Sequence, residues 1–106
     1  MQEAGELKKA LGLLFDAVPA DSSVILFGSR ARGDARITSD WDFLVIEPQV
    51  DDLFMEMVRL SRLLGEALIP ADVVVLSRSA FEAWRDEPNS LAGRALREGK
   101  VYDHAA

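Results

Sequence analysis

The chain has 106 residues, 49% of them hydrophobic, a formal net charge of -6 and no cysteine. That length supplies one core rather than two, so a single domain over residues 1–106 is expected. Without cysteine there are no disulfides and no thiolate metal sites, which accords with a reducing cytoplasm. The acidic balance argues against direct nucleic-acid binding over a broad surface, and no apolar run reaches membrane-spanning length. The acidic start Met1-Gln2-Glu3-Ala4-Gly5-Glu6 lacks the basic lead of a signal peptide. A nucleotide is still permitted, because a metal and a few arginines can meet its charge.

In chain order, Ala4, Leu7, Leu11, Leu14 and Val18 recur at helical spacing, predicting an amphipathic helix over 3–17 that Pro19 ends. Ser23 to Phe27 reads as a buried strand. Ser29 to Arg32 reads as a helical turn stopped by Gly33-Asp34. Asp40 to Glu47 is a second strand, closed by Pro48. Leu53, Met57, Leu60, Leu64 and Leu68 mark a long helix, with Asp51 and Asp52 at its start, where the helix dipole favours anions. Asp72 to Leu76 is a third buried strand. Ser79 is the expected cap of a short helix holding Phe81 and Trp84, and Pro88-Asn89-Ser90 opens a last helix that Gly99 ends. The fold class is α/β in the α+β sense: a small mixed sheet of about three strands flanked by helices.

This order brings distant residues together. The second strand, the long helix and the third strand form a βαβ unit, which favours parallel strands. Their first residues, Asp40, Asp42 and Asp72, then share one sheet end. If the first strand runs antiparallel to the second, Gly28 and Ser29 reach that end too. A Gly-Ser corner can hold phosphate oxygens with backbone N–H groups and a hydroxyl.

Asp40 and Asp42 are two apart on a strand, so both face one side and Trp41 faces the other. Carboxylates leading into the buried run Phe43-Leu44-Val45-Ile46 repel each other and need a cation. Mg²⁺ suits them, being a hard ion that shares carboxylates with substrate phosphates.

Gly28-Ser29-Arg30-Ala31-Arg32-Gly33, followed by Ser39-Asp40-Trp41-Asp42-Phe43-Leu44-Val45, resembles the nucleotidyltransferase signature of the DNA polymerase β-like superfamily. The resemblance is closest to its minimal nucleotidyltransferases, the MNT proteins, and covers nearly the whole chain. Ala71-Asp72-Val73-Val74-Val75 falls where that family places its third aspartate, and Arg97 to Tyr102 resembles its usual ending. The resemblance implies the nucleotidyltransferase fold, with ATP bound by its triphosphate near Gly28 and Ser29. Asp40 and Asp42 would hold Mg²⁺. Asp72 would complete a second metal position or take the proton from the attacking hydroxyl. The chemistry is in-line displacement at the α-phosphorus, which paired metals serve by neutralising charge on attacking and leaving oxygens. Arg32, inside the motif, is the favoured phosphate contact; Arg30 is balanced between phosphate and solvent.

Other residues read more plainly. Arg36 is taken as solvated and Ser39 as a loop cap. Trp41 and Trp84 are packing residues or partner contacts, and Met55 and Met57 core or near-core. His104 sits near a terminus expected to fray.

Size narrows the acceptor. Larger superfamily members carry extra domains for nucleic acid or for a small acceptor, and a minimal domain has little concave surface of its own. A protein acceptor fits better, because the partner supplies the missing wall. MNT proteins are typically antitoxins paired with HEPN ribonuclease toxins, and transfer AMP to a toxin tyrosine. The resemblance therefore implies an AMP-transferring antitoxin forming a hetero-oligomer with a HEPN toxin. The alternatives are an antitoxin that inhibits by binding alone, and transfer to a small hydroxylated acceptor such as an aminoglycoside.

Overall fold

The computed structural model describes residues 2–32 and 40–104. Its architecture follows from the run Phe43-Leu44-Val45-Ile46. A strand apolar on both faces must be covered on both. The elements in order are α1 (Gln2–Ala17), β1 (Ser23–Phe27), α2 (Ser29–Arg32), β2 (Trp41–Glu47), α3 (Leu53–Glu66), β3 (Ala71–Ser77), α4 (Arg78–Trp84), α5 (Leu91–Glu98) and β4 (Lys100–Asp103). They form a mixed α+β fold around one four-stranded sheet, ordered β3-β2-β1-β4. β2 and β3 are parallel, and β1 is antiparallel to both β2 and β4.

Strand alternation sorts the core into two layers. Leu26, Phe43, Val45, Val73 and Val75 pack with Leu14 of α1 and with Leu60 and Leu64 of α3. Ile25, Leu44 and Ile46 pack with Phe81 of α4 and with Ala92 and Ala95 of α5. Leu60 and Leu64 are wholly buried, each contributing about 1.5–3 kcal/mol of burial free energy. Trp41 lies on the α1–α3 side, as its spacing requires. It is 3% exposed, its Nε1 donates to Glu6 Oε1 at 2.7 Å, and its ring stacks near Phe43.

Several details differ from the sequence expectations. Among the described residues there are four strands rather than about three. β4 is short and mostly exposed, so its pattern is weak; pairing with β1 makes it a strand. Ser23 Oγ donates to Asp103 Oδ1 at 2.7 Å across that pair. His104 is held rather than frayed: its ring packs edge-on to Phe15, and Nε2 lies 2.9 Å from the Phe15 carbonyl oxygen. Ser77, not Ser79, caps α4, accepting from the Ala80 N–H at 3.2 Å, because β3 runs on to Ser77 and turns directly into the helix. Met55 is 56% exposed rather than near-core, while Met57 does pack on the core. The difference is one of helical phase, since Met57, Leu60 and Leu64 share the inward stripe. Trp84 is also largely exposed, which leaves partner contact as its remaining reading. Gly33, Asp34, Arg36 and Ser39 lie outside the described residues.

Candidate active site

β1 delivers the chain to one end of the sheet, where it must turn sharply into α2. Gly28 makes that turn with φ +77°, a conformation that costs a residue with a Cβ about 1–2 kcal/mol. A second reason for glycine is space. A Cβ at Gly28 would collide with the Asp42 carboxylate and lie 3.2 Å from the Asp42 Cβ. The Gly28 backbone is therefore seated directly against Asp42.

The register supplies the rest. Phe27 pairs with Asp42 across the antiparallel β1–β2 ladder, and Asp42 pairs with Asp72 across the parallel β2–β3 ladder. Paired residues of neighbouring strands sit on one face of a sheet, about 4.8 Å apart along the hydrogen-bonding direction. Asp42 and Asp72 thus share the face covered farther along by Leu44, Val74 and Phe81. Asp72 is exposed, Asp42 half-buried, and Asp40, the residue before β2, exposed.

A cleft of about 380 Å³ opens here, lined by Phe27, Gly28, Ser29, Asp42, Leu91, Arg94 and Glu98. Gly28, Ser29 and Asp42 meet in it, and Asp72 stands beside Asp42 in the ladder. The side chain of Arg32 is outside what the structure describes. Arg30 turns to the other face, its guanidinium 4.1 Å from the Trp41 ring centre, a favourable cation–π arrangement.

Leu91, Arg94 and Glu98 are lining residues that the linear sequence did not single out. They share one face of α5 by their three- and four-residue spacing. That spacing was legible, but only packing of α5 over β1 shows which face looks into the cleft. Three capping and packing contacts fix the helix there. The Ser90 hydroxyl accepts from the Gly93 N–H at 3.0 Å, Ala92 and Ala95 are buried, and a Cβ at Gly93 would strike the backbone of Glu87.

The donor chemistry suits a hard divalent cation. Asp42 and Asp72 offer carboxylate oxygens in register, and Mg²⁺ is commonly held by one or two carboxylates with phosphates and water completing the shell. Among the described residues, no three acidic or histidine side chains are gathered into a preformed metal cage.

The nucleotidyltransferase domain family matches the chain over residues 6–97. No curated protein matches it. Among solved structures, a chain of a toxin–antitoxin complex with AMP-PNP superposes with a TM-score of 0.66 at 26% identity, covering 91% of this chain and 72% of that one. A chain from the complex of tri-AMPylated Shewanella oneidensis HEPN toxin with MNT antitoxin has the same fold, with a TM-score of 0.58 at 20% identity over 97% and 73% of the two chains. The Gly-Ser corner, the paired aspartates and a match spanning most of the sequence lead to one assignment: the chain belongs to the nucleotidyltransferase domain family.

Proposed function

We propose that this protein is an MNT-type antitoxin that transfers AMP from ATP to a hydroxyl, that of a tyrosine, on a partner HEPN toxin. The observation that carries the reading is the register Phe27–Asp42–Asp72, which sets two carboxylates beside the Gly28-Ser29 corner at one sheet end. The structural likeness to toxin–antitoxin complexes, one with AMP-PNP and one with an AMPylated toxin, supports the nucleotide and the partner. The modest cleft supports a protein acceptor, since the partner would close its open side.

Each residue has a role in that reaction. Gly28 and Ser29 bind phosphate oxygens through backbone N–H groups and the Ser29 hydroxyl, and Arg94 faces the same cleft with positive charge. Arg32 is the motif arginine proposed to approach the phosphates. Asp40 and Asp42 would hold Mg²⁺, with Asp72 as a further ligand or as acceptor of the hydroxyl proton. A metal held there would supply charge neutralisation on the attacking and leaving oxygens. The acceptor oxygen attacks the α-phosphorus, the bond from that phosphorus to the α–β bridging oxygen breaks, pyrophosphate leaves, and the hydroxyl proton passes to Asp72 or solvent. Among the described residues no helix is long and apolar enough to cross a membrane, and the cytoplasm is the proposed location.

The test is the intact mass of a HEPN toxin partner after incubation with this protein, ATP and Mg²⁺. The expected result is a gain in AMP-sized steps that Asp42→Asn abolishes while the variant's unfolding transition stays intact. A stable complex without any mass gain would replace transfer with inhibition by binding. Labelling of small hydroxylated acceptors instead would replace the toxin as substrate.

A further inference from the structure

A second concavity, of about 530 Å³, lies at the other end of the sheet from Gly28. Glu47, Val50, Met55, Val58, Arg59 and Arg62 are among the residues lining it. Glu47 ends β2 and is only 4% exposed, and its Oε2 has no hydrogen-bond partner among the described residues. The Glu47 carboxyl is hydrogen-bonded to Glu56, but a buried oxygen left without a donor is costly, so Oε2 in a pocket wall points to a ligand that donates. The neighbouring acid, Glu56, is already engaged: Arg59 Nε and Nη2 donate to its two oxygens at 2.9 and 2.7 Å. Arg59 is further tied by Nη2 to the Ala17 carbonyl oxygen at 2.7 Å. Glu47 is hydrogen-bonded to Glu56 and feels Arg59 beyond it, so two acids share one guanidinium in a site that has room for a further cation.

The surroundings say what kind of cation. Val50, Met55 and Val58 give the pocket an apolar wall, which suits an aliphatic stem rather than a bare ion. Asp51 and Asp52 add negative charge at its lining. The first turn of α3 next to it exposes Leu53, Phe54 and Met55 at 41%, 68% and 56%. Contiguous apolar exposure beside an acidic pocket marks a protein-binding surface.

We infer that this pocket receives a lysine or arginine side chain of a partner protein, its stem along Val50, Met55 and Val58 and its cationic head on Glu47. The partner segment carries apolar residues beside that side chain, and these cover Phe54 and Met55. The chain's net charge of -6 complements such a basic segment. Burial, followed by the Glu56 carboxyl, pushes Glu47 up to about 8. The empty pocket therefore holds a neutral acid, and the arriving cation displaces that proton to solvent. The site is separate from the Gly28–Asp42 cleft, so it stands whether or not transfer is the activity.

The test uses the whole isotope-labelled protein and three probes: acetyl-Leu-Lys-Leu-amide, the same peptide with norleucine for lysine, and butylamine. The expected result is saturable backbone amide shifts centred on residues 47–62, with the lysine peptide binding about tenfold more tightly than the norleucine peptide. Glu47→Gln, checked for folding by thermal unfolding, should erase that preference. Met55→Ser, a change at an exposed site, should weaken both peptides alike and keep the preference. Equal binding of the two peptides, a preference that survives Glu47→Gln, or shifts centred elsewhere would overturn the proposal. Butylamine binding as tightly as the lysine peptide would also overturn it, making this a small-amine site.

Discussion

Replacing Gly28 by alanine tests the seating of the corner against Asp42. Two costs are separable. The φ of +77° penalises any Cβ, by about 1–2 kcal/mol. The added methyl also collides with the Asp42 carboxylate, and turning that side chain aside adds about 1–2 kcal/mol. The single substitution should therefore lower unfolding free energy by about 2–4 kcal/mol, read from urea denaturation. In an Asp42→Ala background the carboxylate is gone, although its Cβ would still lie 3.2 Å from the new methyl. There the same substitution should cost about 1–2 kcal/mol, the backbone share alone. The difference is a coupling energy of about 1–2 kcal/mol between the two positions. Equal losses in both backgrounds would refute the contact, leaving only backbone strain. Because the displaced group is Asp42, Gly28→Ala should also reduce AMP transfer at least about 100-fold, well beyond what its lost stability explains.

Arg94→Ala should raise the nucleotide KM about tenfold with the fold intact, measured by steady-state transfer; an unchanged KM would remove Arg94 from phosphate binding. Glu47 is raised from 4.5 to about 8, so the native state holds its proton more tightly than the unfolded chain. The stability this gives is complete below pH 4.5 and is lost as pH rises through about 8. Glu47→Gln should therefore gain on the wild type across that window, reaching about 1–3 kcal/mol by pH 9 in denaturant titrations; a constant difference from pH 5 to 9 would count against it. Leu68, the residue after the α3 C-cap Ala67, has φ +62° and is 86% exposed. Leu68→Gly should raise stability by about 0.5–1 kcal/mol, seen as a higher melting temperature, because glycine adopts that conformation without a Cβ penalty.

Much of this molecule was written in its local sequence. The continuous apolar run of β2 announced a strand buried on both sides. The βαβ spacing announced parallel β2 and β3. The two-residue offset between Asp40 and Asp42 announced Trp41 on the opposite face, where it packs under Arg30 and bonds Glu6. These are short-range consequences of strand period and crossover handedness, so a linear reading reaches them. Tertiary structure alone decided the rest. β4 is a strand because β1 has a free edge, not because Lys100–Asp103 is strongly patterned. Arg94 and Glu98 enter the cleft because Ala92 and Ala95 pack on the sheet while Gly93 lets α5 close on the backbone of Glu87, which fixes one rotation. Glu47 reads as an ordinary polar strand end, yet the packing of α3 over it removes water and leaves its oxygen without a donor. Sequence period fixes which residues share a face; the energy of a buried charge depends on what is packed against that face, and only the folded chain supplies that.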